Sequence, residues 1–545
     1  MRGGPGLFEP QGQDQPFSRR AIVAVIVRVR PGDVNGTGRG SWYPDAVSDT
    51  VTDHADGPHA RDGWTVRRSA RPPGIWVAIA VLVAVSMGSS GLAAAKPPAS
   101  SLHFDAIPRI GPNWPGDPSG AIGHAAIVTA VNTSIAVYDR AGVTLLAPKP
   151  LEPLGTFPPG TDLFDPKVVY DPYAQEFVLV FLAIHDALER SWIVLSAMPG
   201  ATASDPATWC VHQIGADQVN RDGKQWADYP GLGFARDRVT VTSNQFDFAG
   251  TQSFAYAQVL SFDKTSLYDC TKRLEFRPFG GADTSNPDGT RAFTVQPATS
   301  AGTAPADQYL MSYRRARRGG SALVLWRLRQ TAAGLRLTRV AIPVGKVTVS
   351  PYGTQAGGGL NNFNTFWDPG DVRLVNAFYD PDLRRIYAAH VIFRNLRPDS
   401  VTGGYQEAAI RWYEVAPGSS LKTSAVTRRG LVGTAETDAG WPVVATDGVG
   451  TLFITYSRAS VVTGEYLSAY VAQIPVGSTT AEIALLAAGD ARMEAVRGPE
   501  RWGDFNAISR DPLDPAVMAV VNQYAKSDGS GPTEDWQETV DLVGA

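Results

Sequence analysis

Aspartate recurs in this chain at the head of short apolar runs. Asp117, Asp165, Asp228 and Asp504 each stand just before a stretch of strand-forming residues, and Asp371 and Asp438 stand three residues before the matching positions of two more. Carboxylates gathered from several loops support two chemistries. A hard cation such as Ca²⁺ takes about six to eight oxygens, and Asp117, Asp165, Asp228 and Asp504 are the candidate ligands, in a protein that otherwise requires no cofactor. Alternatively, two acids held close raise one another's pKa, and a protonated carboxyl beside an ionised one is the apparatus of glycoside hydrolysis. Asp165 and Asp504 are that candidate pair. The plainer reading is structural: Asp in a turn accepts backbone N–H groups locally, which accounts for every copy.

Other side chains accompany these acids. Arg373 lies beside Asp371 and Arg501 beside Asp504, placed to pair with them or to hold an anionic ligand. Trp226, Trp367, Trp441 and Trp502 precede or head the same runs, suited to stacking on sugar rings if exposed and to packing between sheets if not. A second set, Asp171, Asp380, Asp447 and Asp511, is followed by Pro or Gly and reads as hairpin-turn chemistry without function. The histidines His103, His124, His185, His212 and His390 show no metal-ligand spacing. No nucleophile elbow, phosphate-binding glycine loop or sialidase box is present, and the glycines at 357–359 read as a flexible insertion.

The elements that must position these residues form a repeat. Its best copy reads FDPKVVYD from Phe164, then a polar turn, the run FVLVFL from Phe177, a loop, and WIVLS from Trp192: strand, Asp-bearing turn, strand, loop, strand. The same outline recurs over 117–131, 228–245, 293–313, 374–393, 441–456 and 504–524, the copy within 285–330 departing most from it. Seven copies at steps of 48 to 81 residues leave room for a four-stranded antiparallel sheet each. One such sheet cannot bury both faces alone, whereas a ring of them can. The expected fold is therefore all-β, a propeller of seven four-stranded blades over 96–545; a pair of β-sandwiches is the alternative. The last copy ends with the chain directly after its third strand, so the segment 102–110 is expected to supply the fourth. In such a ring the residues before each innermost strand converge, placing Asp117, Asp165, Asp228, Asp371 and Asp504, with Arg373, Arg501, Trp226 and Trp502, around one mouth of the central channel.

Taken together, GDPSGAIG from Gly116, FDPKVVYD, DYPGLG from Asp228, DVRL from Asp371 and RWGDF from Arg501 followed by Asp511-Pro512 resemble a group of bacterial secreted β-propeller proteins known mostly as hypothetical exported proteins. The resemblance spans nearly all of 101–545. It implies the fold and an extracytoplasmic location, and it brings no activity with it.

The rest of the sequence sets the context. Charged residues are 19%, aromatics 10%, and 55 Gly with 40 Pro favour short strands and tight turns. The net charge of −4 and the lack of a basic run exclude nucleic acid as a partner. Arg67, Arg68 and Arg71, an apolar run over 75–85 and Ala93-Ala94-Ala95 follow the order of a secretory signal at 66–95, with cleavage expected after Ala95. The run is too short to span a bilayer comfortably. Residues 1–65 read as an over-extended start, with the true initiator near Val66 or Met87. Cys210 and Cys270, an even pair in an exported chain, are expected to form a disulfide. The expectation is an extracellular or envelope monomer binding a glycan or protein at the carboxylate- and Trp-bearing mouth. A glycoside hydrolase using the paired acids and a non-catalytic adhesion scaffold are the alternatives.

Overall fold

The computed structural model describes residues 97–110, 115–250, 252–315, 321–348, 352–358, 365–394, 407–493, 499–527 and 535–544. The expected extension at 1–65 and the secretory signal at 66–95 lie outside them. No helix among the described residues is long and apolar enough to cross a membrane.

The protein is a β-propeller. The twenty-eight strands among the described residues form seven antiparallel blades of four, and within blades one to six the order in space follows the order in sequence. The innermost strands are Ser119–Ile122, Asp162–Asp171, Gln225–Phe234, Gln296–Ser300, Ala377–Asp380, Asp438–Thr446 and Ala507–Arg510. Nearly every residue of the middle strands is buried, as in Glu176–His185 (EFVLVFLAIH), because each blade is sandwiched between two others. The outermost strands alternate: Ala425–Val432 buries every second residue more deeply, showing one face to a neighbour and one to solvent. Blades four and five are joined more closely than the rest, their innermost strands pairing in parallel at Ala298–Ala377, Thr299–Phe378 and Ser300–Tyr379.

Strand β1 (Ala99–Pro108) closes the ring, as the missing strand of the last copy requires. It pairs antiparallel with Trp536–Gly544 and becomes the outer strand of blade seven. Its Ile107 N–H donates to Glu538 Oε2 at 3.1 Å, and His103 Nδ1 lies 3.0 Å from Asp541 Oδ1. Cys210 and Cys270 are bonded as expected, with Cα atoms 5.4 Å apart. The bond ties the outer strand of blade two to the loop that leads into the outer strand of blade three.

One residue per blade, at the entry to the innermost strand, takes a left-handed backbone conformation: Asp117 (φ 49°), Asp165 (56°), Tyr229 (53°), Thr294 (50°), Gly370 (92°), Trp441 (53°) and Gly503 (150°). Residues with side chains are strained there, by about 1–3 kcal/mol each. What holds them is the neighbouring blade. Asp165 N–H donates to Asn132 Oδ1 (2.8 Å), Tyr229 N–H to Asp165 Oδ2 (3.1 Å), Thr294 N–H to Asn244 Oδ1 (2.8 Å) and Trp441 N–H to the Pro369 carbonyl (3.1 Å). In the last blade Asp504 N–H, one residue past the hinge, donates to Asp117 Oδ1 at 2.6 Å. The hinges are thus where most blades are clasped to a neighbour; at blade five the Gly370 N–H donates instead to Asp368 of its own segment.

Candidate functional site

These clasps decide what the sequence-predicted acids do. Asp117 accepts from Asp504 N–H and, at 2.7 Å, from Asn132 Nδ2; Asp165 accepts from Tyr229 N–H; Asp438 accepts from the Thr354 and Ala408 N–H groups at 2.7 and 2.9 Å. The structural reading therefore holds in altered form: apart from the Asn132–Asp117 bond within blade one, these bonds run between blades rather than within one turn. The alignment also needs correction. Asp228 precedes its hinge residue and Asp504 follows its own, because backbone conformation and not residue type defines the equivalent position.

Asp117, Asp165, Asp228 and Asp504 do lie near one another, but not at an opening. Their exposures are 0, 1, 3 and 3%. Tyr229 and Phe505 are buried against each other at this end, ring centroids 4.9 Å apart, and the Tyr229 hydroxyl donates to the Asp504 carbonyl at 3.2 Å. The Arg373 guanidinium covers Tyr229 at 4.7 Å from the ring centre while pairing bidentately with Asp371, both contacts at 2.9 Å. Arg501 pairs with Asp504. Burial, and then the charge of Asp504, push Asp117 and Asp228 up to about 7. Asp165 is pushed well above the ordinary range by burial and by Asp228, Asp117 and Asp504. Burial also raises Asp371, but Arg373 overrides this and holds it below the usual value.

Among the described residues no three carboxylates bring oxygens within 4.8 Å of one another; the one ligand-type trio that does is Cys210, His212 and Cys270, whose cysteines are in the disulfide. The tryptophans are not a sugar platform. Trp226, Trp367, Trp441 and Trp502 are 4, 0, 5 and 1% exposed, with Trp226 stacked on Phe246 and the indole N–H groups of the other three donating to Thr354 O, Asp368 O and Ser457 Oγ.

The opening lies at the opposite end of the axis. A cavity of about 750 Å³ runs down the channel and is lined by innermost-strand residues together with the hairpin turns at Pro172, Gly448 and Pro512. Those turns carry the second aspartate set, which behaves as the sequence suggests: Asp380, Asp447 and Asp511 accept backbone N–H groups two or three residues ahead. Their remaining oxygens do more than expected. Asp171 pairs with Lys264 of the next blade, Asp511 with Arg140 of blade one, and Asp380 with Arg510, which also donates to the Thr446 and Asp447 carbonyls.

Inward from that rim the wall mixes apolar residues, Ile122, Val168, Leu232, Phe378 and Ile508, with neutral polar ones such as Thr299 and Ser509, and it ends in a polar layer of Ser119, Lys167, Gln296, Asn376 and Asn506, each from a different blade. Asn376 exchanges two bonds with Val444 of the next blade, and Ser119 Oγ accepts from Val168 N–H. Gln296 and Asn506 are 2 and 3% exposed, and Gln296 Nε2 and Asn506 Oδ1 have no partner among the described residues. Lys167 Nζ lies 3.2 Å from the centre of the Phe505 ring; burial lowers it to about 7 against the pull of Asp165, Asp117 and Asp504. Sequence reasoning missed this layer. Its signal is one polar residue just past the head of an otherwise apolar run, and Lys167 sits within the best copy of the repeat.

No protein-family model and no curated protein matches the chain. Solved structures that resemble it include a protein of unknown function from Dyadobacter fermentans (13% identity, covering 71% of this chain and 100% of that one, TM-score 0.38). An α-L-arabinofuranosidase of Fusarium graminearum (9%, 81% and 98%, 0.36) and the Dos1 propeller (10%, 82% and 95%, 0.38) also resemble it. Likeness this distant carries no argument about the site, and the fold rests on the strand topology above.

Proposed function

We propose that this protein is an exported ligand-binding propeller that takes a small molecule into its axial channel from the face bearing the hairpin turns. The observation that carries the reading is the polar layer at the inner end of an open cavity. Buried polar groups are ordinarily paired, and leaving one unpaired costs about 1–3 kcal/mol. Gln296 Nε2 and Asn506 Oδ1 lack partners among the described residues, and both residues line the cavity. The volume falls in the range of small-molecule sites. Export is supported by the Cys210–Cys270 disulfide, which persists in oxidising compartments. Catalysis through Asp165 and Asp504 is not part of this reading, since neither lines the cavity.

A ligand that binds the folded state raises its melting temperature. The test is a thermal-shift panel of galactose, galacturonate, octanoate, phenylacetate and phenethylamine. At least one is expected to stabilise the protein, and Asn506→Leu, which keeps the side chain's shape but removes the acceptor together with the bond that Nδ2 donates to the Trp441 carbonyl, is expected to weaken that effect relative to the variant's own ligand-free melting temperature. A panel with no stabilising member refutes the channel as a site.

A further inference from the structure

Granting the channel as a ligand site, its charges indicate what enters. The cations around its open end are paired: Arg510 with Asp380, Arg140 with Asp511, Lys264 with Asp171. At the inner end Lys167 has no ion-pair partner among the described residues, although its side chain is only 9% exposed and it lines the cavity. The donor Gln296 Nε2 shares the layer and is equally without a partner. Between the blades that carry them, blade three contributes Gly231 at the equivalent position. A Cβ there would lie 2.7 Å from Gln296 Oε1 and 2.4 Å from Thr242 Oγ1, so the position admits no side chain and leaves the two donors unscreened.

Between this layer and the rim the wall carries Ile122, Val168, Leu232, Phe378 and Ile508 among neutral polar residues such as Thr299 and Ser509, and at the rim exposed apolar side chains stand among the ion pairs. Val449, which lines the mouth, is 69% exposed, and Leu513, beside the lining residues Pro512 and Asp514, is 57% exposed. Three demands follow. The inner end wants an anionic acceptor for Lys167 and Gln296, the shaft wants apolar surface, and the rim offers apolar contact rather than an uncompensated cation.

We propose that the channel binds a small carboxylate with an apolar body, inserted carboxylate first so that it meets Lys167 and Gln296. Charge-assisted hydrogen bonds are about twice as strong as neutral ones, so the acid should gain over its uncharged isostere. The proposal rests on the channel being a binding site, and the experiment separates the two. Affinities of octanoate and octanamide, and of phenylacetate and phenylacetamide, are measured by calorimetry on the wild-type protein, on Lys167→Gln and on Lys167→Arg. Each acid is expected to bind the wild type about tenfold tighter than its amide. Lys167→Gln is expected to erase that preference and Lys167→Arg to keep it. Gln296→Glu, which adds a negative charge without touching Lys167, is expected to weaken the acids and spare the amides, so the test survives misfolding of the lysine variants. Amides that bind as tightly as acids overturn the carboxylate assignment and leave the channel reading standing. If neither acids nor amides bind, the carboxylate assignment is overturned as well; galactose, galacturonate or phenethylamine stabilising the protein would then keep the channel reading alive.

Discussion

Closure of the ring can be tested through one buried acid. Glu538 lies in the strand Trp536–Gly544 of blade seven, fully buried, with Oε2 accepting from Ile107 of the incoming N-terminal strand and the Thr129 hydroxyl beside the carboxyl. Burial pushes it up from 4.5 to about 8. A folded-state pKa above the unfolded one means that the folded protein binds the extra proton. The stabilisation is therefore fully present below about pH 4.5 and is lost as the pH rises through about 8. Each unit is worth about 1.4 kcal/mol, so between about pH 5 and pH 9 this one group costs the wild type about 4 kcal/mol.

Glu538→Gln mimics the protonated acid: its carbonyl can still accept from Ile107, and its amide can donate towards the nearby Thr129 hydroxyl. Guanidinium unfolding at about pH 5 and about pH 9 measures the difference. The two proteins are expected to have similar stability at the lower pH, with the variant more stable by about 4 kcal/mol at the higher. Asp117 and Asp228, also raised, give both proteins a shared slope of the same sign that cancels in the comparison. If the variant loses as much stability with pH as the wild type, Glu538 is not buried as an acid in the closing blade and the argument fails.

Three further outcomes are expected. Deleting residues 97–110 removes the outer strand of blade seven and bares the edge of Trp536–Gly544; the shortened protein should melt well below the full chain and self-associate in sedimentation, and an unchanged melting temperature would contradict the closure. Reducing the disulfide, or replacing Cys210 and Cys270 by Ser, frees a loop of about 60 residues and should cost about 4 kcal/mol in denaturant unfolding, with no cost pointing to an unbonded pair. Asn132→Ala removes three buried bonds, to Pro115 O, Asp117 Oδ2 and Asp165 N–H, and should cost about 3 kcal/mol or more. A loss under about 1 kcal/mol would mean that the blade-to-blade clasp contributes little.

Much of the architecture was legible because it rests on local chemistry repeated seven times. The strand–Asp turn–strand unit marks each blade, and the missing last strand points to the N-terminal segment that completes the ring. The hairpin aspartates were legible for the same reason, since Asp before Pro or Gly caps its own turn wherever it occurs. The hinge positions were not. Asp228 and Asp504 look equivalent to Asp117 and Asp165 in sequence, yet the left-handed residues are Tyr229 and Gly503, a difference of backbone conformation that residue type does not encode.

Which end of the axis opens was hidden for another reason. Counting along a strand tells which end of a blade a residue occupies, but whether that end is open depends on side chains from other blades. Tyr229 from blade three, Phe505 from blade seven and Arg373 from the segment before blade five fill the space that the acids would otherwise border. The same packing explains why Lys167 went unweighed. In sequence it is one basic residue beside Asp165 and invites the reading of a local ion pair, whereas in the fold Asp165 turns its oxygen to the Tyr229 backbone and the lysine faces the channel. The two ends therefore separate by phenotype. Substitutions among the clasping acids should lower stability whether or not ligand is present, and substitution of Lys167, which has no hydrogen bond or ion pair to another blade among the described residues, should alter ligand affinity while leaving the ring assembled.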